Sequence, residues 1–381
     1  MKVQSLVSAF TVVFLGVTVT SLSGQGSSVG NRRDGQRLFE QETFGGNGRT
    51  CLTCHSRKTG TVSPRDAQRR FHANPHDPLF VHDGSDDGLG NGVSRMLADA
   101  TILMNIPLPP NVRLADSDDR FVTVTRGIPT TLNTPAFDPV LMLDGRQQTL
   151  ELQAGGAIQD HAQATEPPTL NELELIKRFQ QLSDDFFSSP ALRLLALGGP
   201  APRLPRGNTA SERRGRRFFE DVPPDPTDGF KPGLCAHCHS GSLLNQTSEF
   251  APDFFQLPVR TGTRFQDVLV SFFNEAKNPV RHFIFNEGTA NEAHVISPDP
   301  GRALITGIVD GPTTFEHKDA FKISQLRGIR HTAPYFHDNS AKTLEDVARH
   351  YTRFFAFVTG NFITLTPQDE ADMVAFMKLL D

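Results

Sequence analysis

Two pentapeptides, Cys51-Leu-Thr-Cys54-His55 and Cys235-Ala-His-Cys238-His239, repeat the pattern C-x-x-C-H and use all four cysteines of the chain. No cysteine is left for a disulfide. C-x-x-C-H is the attachment sequence of c-type haem: both thiols form thioethers with the porphyrin vinyl groups and the adjacent imidazole binds the iron. Zinc sites and redox dithiols also use paired cysteines. Zinc ribbons place their pairs closer together, however, and a thioredoxin-type motif needs no His after each pair. The haem reading predicts two covalently bound haem c groups on Cys51/Cys54 and Cys235/Cys238, with His55 and His239 as iron ligands. Zinc and dithiol chemistry stand beside it as alternatives.

The N-terminus carries its own signal. Lys2 precedes an apolar run from Leu6 to Val19 and then small residues from Ser21 to Gly26. This is the layout of an export signal over residues 1–24, too short for a committed membrane span. An uncleaved anchor helix is the alternative. Export suits the cysteine motifs, because covalent haem attachment in bacteria follows export, so a periplasmic protein with no membrane span in the mature chain is expected. The net charge of −5 gives no basic footprint for nucleic acid. Aromatic usage is lopsided, with 30 Phe, two Tyr and no Trp.

A weak internal repeat precedes each motif: Gly35-Gln-Arg-Leu-Phe-Glu40 and Gly215-Arg-Arg-Phe-Phe-Glu220. Each reads as a short amphipathic helix leading through a loop into C-x-x-C-H. Thr169…Glu172, Thr343…Asp346 and Thr366…Asp369 have the form of helix caps before apolar stripes. Strand-like alternation is scarce, and Pro64–Gly92 and Pro107–Asp119 read as long ordered loops. The fold expected is therefore all-α, with two cytochrome c-like domains. An N-terminal domain would span residues 31–165, a connecting helix and linker 166–208, and a C-terminal domain 209–381. Gly198–Asn208, with three Pro and three Gly, is the interdomain linker in this reading.

The order of elements now resembles a family. The two motifs, Asp144-Gly145-Arg146, Asp299-Pro-Gly-Arg302 and Thr332-Ala-Pro-Tyr-Phe-His337-Asp338 resemble the bacterial dihaem cytochrome c peroxidase and MauG superfamily. The resemblance implies a peroxide-reacting N-terminal haem and a six-coordinate, electron-transferring C-terminal haem. It also implies a calcium ion between them, held in part by the carbonyls of Thr332 and Pro334. The sixth ligand of the second haem lies fourteen residues beyond the His of the Pro-Tyr-Phe-His block, which is Tyr351 here. Peroxidases of the family carry Met there and MauG carries Tyr. Met raises haem potential, whereas an anionic phenolate favours higher oxidation states. Tyr351 points to MauG-like chemistry; a buried core tyrosine is the alternative.

Other positions depart from the family. Gln153 falls where an active-site Gln is kept, but Gln163 stands where a catalytic Glu is expected. An amide can position peroxide yet cannot carry its proton. His161, two residues earlier, is the candidate acid–base group in its place, with a structural histidine as the alternative. Leu143 replaces the Trp that lies between the haems in well-known members, and the family's calcium-binding Asn falls near Gly127. His72, His76, His82, Met96 and Met104 follow the first motif, and any of them could cap the resting first haem. His237 is expected to face solvent, and His337 and Asp338 to be structural.

The leading reading is a dihaem oxidoreductase acting on hydrogen peroxide and supplied with electrons by a small donor protein, a cytochrome c or a cupredoxin. A homodimer is compatible with it. Two alternatives are a non-catalytic dihaem electron carrier and a dihaem oxygenase acting on an organic substrate.

Overall fold

A computed structural model describes residues 25–250, 264–311 and 315–381. The leader expected over residues 1–24 lies outside these. No helix among the described residues is long and apolar enough to cross a membrane.

The repeat noted before each motif has a physical basis. Helix α1 (Gln25–Glu40) leads to the short turn α2 (Cys51–Cys54). Further on, α3 (Pro64–Ala73), α4 (Leu150–Asp160), α5 (Leu170–Leu182) and α6 (Ala210–Phe219) follow, and the chain ends with α7 (Leu344–Val358) and α8 (Pro367–Met377). α5 crosses α1 at Gly35, where an added Cβ would lie 2.3 Å from the Leu175 carbonyl oxygen. α8 crosses α6 at Gly215, where it would lie 1.9 Å from the Asp372 carbonyl oxygen. Only glycine lets the two backbones approach so closely. The same crossing is built twice, once in each half.

The expected caps form. Thr169, Thr343 and Thr366 accept from the backbone N–H three residues on, and Glu172, Asp346 and Asp369 return the bond. Ser63 and Asp66 form another such box, so that the start of the stretch read as loop is the helix α3.

The all-α expectation is wrong. Strands form three small antiparallel sheets. β1 (Thr101–Pro107) pairs with β3 (Phe121–Gly127), from Thr101 opposite Gly127 to Pro107 opposite Phe121. β2 (Val112–Leu114) pairs with β5 (Arg281–Phe285), which pairs with β6 (Ala293–Ser297). β4 (Phe265–Gln266) pairs with β7 (Phe321–Lys322). The signal was present but brief. Phe121-Val-Thr-Val-Thr alternates out and in with β-branched residues, burying Val122 and Val124. Because β2 and β5 come from opposite halves of the chain, the halves share a sheet and one apolar core. Ile106, Val112, Leu114 and Val124 pack there with Phe283, Phe285 and Leu304. A second core gathers α1, α4 and α5, and a third gathers α6, α7 and α8.

A further repeat escaped the sequence reading. Leu141–Leu152 and Tyr335–Asp346 share Asp, Thr, Leu and Glu at matched positions. Each segment closes on an isolated bridge, Leu141 to Gln147 and Tyr335 to Ala341. Met142 and Phe336 take the same left-handed conformation, with φ of 67° and 68°. Asp144 and Asp338 each accept from the N–H two residues on, at 3.2 and 3.0 Å. Thr149 and Thr343 then cap α4 and α7. The two helices are therefore equivalent elements, and residues on them can be matched one to one.

Candidate active site

Each C-x-x-C-H motif sets its histidine in the same way. His55 Nδ1 lies 2.8 Å from the carbonyl oxygen of Gly60, and His239 Nδ1 lies 2.8 Å from that of Leu244. A carbonyl only accepts, so Nδ1 carries the proton and Nε2 is left with its lone pair, the state a metal ligand requires. Burial pushes both imidazoles below their usual range and keeps them neutral. Desolvation raises all four thiols, those of Cys51 and Cys238 up to about 12. A redox dithiol needs the opposite shift. Among the described residues no three His, Cys, Asp or Glu side chains gather closely enough to hold a metal ion by themselves. Two thiols and one imidazole beside apolar walls fit a porphyrin, which brings four iron ligands of its own.

A cavity opens on the first motif. Cys51, Cys54 and His55 line it together with Met104, Leu143, Gln153, Ala157 and His161. Gln153, Ala157 and His161 are spaced by four along α4 and its cap, which puts them on one face. Gln163 stands outside this face. Its φ is 53°, its side chain is exposed, and its amide oxygen accepts from Asn47 Nδ2 at 3.1 Å. Of the loop residues that could cap a haem, Met104 lines the cavity while Met96 is buried in the shared core. His82 Nε2 lies 3.2 Å from the Asp160 carbonyl oxygen, and His72 and His76 lie away from the cavity lining.

The residue that sequence reasoning missed is Asp83. It is buried, with one carboxylate oxygen 2.6 Å from His161 Nδ1 and the other paired with Arg49. Arg49 Nε donates to Pro78 O at 2.8 Å, and its Nη2 donates to Leu79 O and Val81 O at 3.0 and 2.6 Å. Nη1 adds the His161 carbonyl at 3.2 Å to Asp83, so that all five N–H groups are engaged. Burial pushes the Asp83 carboxyl up, and His161 and Arg49 beside it more than offset that, holding it below the usual carboxylate range. No sequence pattern links residues 49, 83 and 161; only the fold brings them together.

At the second motif, Tyr351 packs against the C-terminal core together with Cys235. Its ring centroid lies 6.0 Å from those of Phe354 and Phe355 and 6.2 Å from that of Phe336. Burial, and then the neighbouring Cys238 and Cys235, push its hydroxyl well above the phenol range. Among the described residues its hydroxyl has no hydrogen-bond partner, whereas the Tyr335 hydroxyl donates to Ile329 O at 2.9 Å. His350, next in sequence, is tied by Nε2 to Val268 O at 2.8 Å. His237, expected to face solvent, is 2% exposed: the turn that holds the motif folds this ring inward beside Asp221.

Between the sites, Arg126 forks onto Asp299 at 2.7 and 2.9 Å and also pairs with Asp144. Its guanidinium lies 5.4 Å from the centroid of Phe321, which stacks on His337 at 3.7 Å and 9°. Lys322 N donates to Leu143 O at 2.8 Å, so this stack adjoins the residue expected in place of the family's Trp. Where the family's calcium-binding Asn would fall, a Cβ on Gly127 would lie 2.1 Å from Asn339 Oδ1. Asn339 fills that space and donates to the carbonyls of Asp99 and Ala100 at 2.9 and 3.0 Å.

Residues 33–198 match the family model described as di-haem cytochrome c peroxidase. The matched segment is thus similar to peroxidase-type haem oxidoreductases. That match covers the segment that carries the first motif, and the family is the one that the motifs of the chain resemble. A match to this family implies haem cofactors and suggests peroxide as substrate. No curated protein matches the chain. Among solved structures it is similar to a MauG-like protein associated with microbial copper homeostasis, with 19% identity, 96% of this chain and 91% of that one covered, and a TM-score of 0.49. The diheme peroxidase BthA from Burkholderia thailandensis gives 16% identity, coverages of 92% and 86%, and a TM-score of 0.46. Hydrazine synthase of Kuenenia stuttgartiensis gives 14%, 98%, 99% and 0.43.

Proposed function

We propose that this protein is a periplasmic dihaem c-type oxidoreductase that reduces hydrogen peroxide at the haem of the first motif, with electrons delivered through the haem of the second. The observation that carries the assignment of roles is the repeat relating α4 to α7. In that register the counterpart of Tyr351 is Ala157, which lines the first cavity. A methyl group cannot bind iron, so this helix position would offer no ligand to a haem at the first motif, where Tyr351 would offer one at the second.

Haem supplies the redox-active iron, held through thioethers to Cys51, Cys54, Cys235 and Cys238 and by His55 and His239. The chain's own residues handle the peroxide. Gln153 orients it by hydrogen bonding. His161 takes a proton from one peroxide oxygen through Nε2 and returns it to the other as the O–O bond breaks. Overall, one peroxide, two protons and two electrons from a donor protein give two waters. The calcium ion would draw on the carbonyls of Thr332 and Pro334, with Asn339 Oδ1 in the place the family gives to Asn.

Electron paramagnetic resonance of the ferric protein tests this reading. One high-spin and one low-spin haem are expected, and Ala157→Tyr should convert the high-spin signal and stop peroxide turnover. Two low-spin haems in the wild type, with peroxide turnover intact, would overturn it.

A further inference from the structure

We propose that Asp83 is a positioning residue for proton transfer at the first site: it fixes the tautomer and the aim of His161, doing through an imidazole what the family's missing carboxylate does directly. The inference rests on His161 being the acid–base group there.

An ionised carboxylate only accepts, so the 2.6 Å contact between Asp83 Oδ2 and His161 Nδ1 requires a proton on Nδ1. The lone pair of the neutral ring is then on Nε2, on the side of the ring away from Asp83. His161 lines the same cavity as Gln153 and Ala157. A base with its lone pair directed there can take a proton from a bound peroxide; the other tautomer cannot.

Asp83 is itself held against rotation. Its second oxygen pairs with Arg49, whose remaining donors are all spent on carbonyls of Pro78, Leu79, Val81 and His161. Asp83 is 5% exposed, so water competes little for its carboxylate. The His161 backbone is pinned as well, its carbonyl accepting from Asn47 Nδ2 at 2.9 Å. A surface ion pair would leave the ring free to turn; this arrangement fixes both of its ends.

The chemistry makes Asp83→Asn a sharp probe. Arg49 offers only donors, so the new amide must turn its oxygen to Arg49 and its NH2 to His161. Nδ1 then becomes an acceptor, the ring proton moves to Nε2, and the base becomes a donor. Charge and tautomer change while volume does not.

The test uses the haem-loaded protein, with stopped-flow peroxide reaction and cyanide binding to the ferric form followed from pH 5 to 9. Hydrogen cyanide must lose its proton to bind, so its association rate reports the same base without turnover. Asp83→Asn should slow both by on the order of 10²-fold, with unchanged haem content and resting spectrum. The pH profile should lose the limb that His161→Ala also removes, and the double variant should be no slower than His161→Ala. Asp83→Glu should recover part of the rate. If Asp83→Asn does not fold, Arg49→Lys, which loosens the carboxylate, should displace the limb. A limb and rates left in place by Asp83→Asn, or by Arg49→Lys where that stands in, while His161→Ala slows both reactions, would refute the role of Asp83 and leave that of His161 standing. Wild-type rates in His161→Ala would instead remove the underlying reading, and this inference with it.

Discussion

Arg126 joins the halves of the chain, and its removal has a cost that can be worked out. The guanidinium, 2% exposed, serves Asp144 and Asp299, which are 0% and 2% exposed. Asp144 keeps Arg146 Nη1 at 2.6 Å if Arg126 is lost. Asp299 keeps only the Gly301 N–H at 2.9 Å on one oxygen. Arg126→Met retains the aliphatic stem but strands a buried carboxylate, which costs about 3–5 kcal/mol. Protonation offers an escape and sets a ceiling. Holding an ordinary Asp protonated at pH 7 means about three units at about 1.4 kcal/mol each, or roughly 4 kcal/mol. The two figures agree. The pH dependence follows from the same escape. Burial raises the Asp144 carboxyl, but Arg126 and Arg146 hold it below the usual range. The stability this gives the wild type is therefore present above the ordinary carboxyl value and is lost as pH falls through the depressed one. The variant lacks part of it, so the two proteins converge in acid, by at most about 1.4 kcal/mol per pH unit for one carboxyl. Urea unfolding followed by circular dichroism at pH 7 and pH 5 measures both points. A variant within 1 kcal/mol of wild type at pH 7, on the order of the error of such extrapolations, would refute the reasoning. So would a penalty that does not shrink on acidification.

Tyr351→Phe should free the sixth position of the second haem and change its absorption spectrum and spin state; an unchanged spectrum would mark Tyr351 as a core residue. Gly215→Ala sets a helix-propensity gain of about 1 kcal/mol against overpacking of about 1–3 kcal/mol, since the new Cβ would lie 1.9 Å from Asp372 O and 2.9 Å from Phe376 Cβ. A loss of about 1 kcal/mol is expected, seen as a lower thermal midpoint. A midpoint above that of wild type would show that the helices part freely.

The helices of the two halves were legible in the sequence because their signals are local: a cap, an apolar stripe, a glycine. The strands were missed because they are short and lie among Pro, Asp and Asn, as in Pro107–Asp119, where Val112-Arg-Leu114 is the whole of β2. The equivalence of Leu141–Leu152 and Tyr335–Asp346 was hidden by low identity and is plain only from matched φ values and bridges. Gln153 and His161 reach the cavity because helical spacing carries them there. Asp83 could not have been found, since nothing in a sequence of local patterns joins a turn at 83 to an arginine at 49 and a helix end at 161.

Arg49 sits two residues before Cys51, and its guanidinium draws the strap 78–83 down beside the first motif. Arg70 adds a second fastening, to Asp77 and to the Thr53 carbonyl. Thioether formation needs both thiols within reach of a porphyrin and of the machinery that delivers it. On the proposed attachment, those bonds form while the strap is still undone. On that attachment, loading comes before closure. A chain that shuts its strap early locks its own cofactor out, so the guanidinium that steadies the finished site also sets a deadline for filling it.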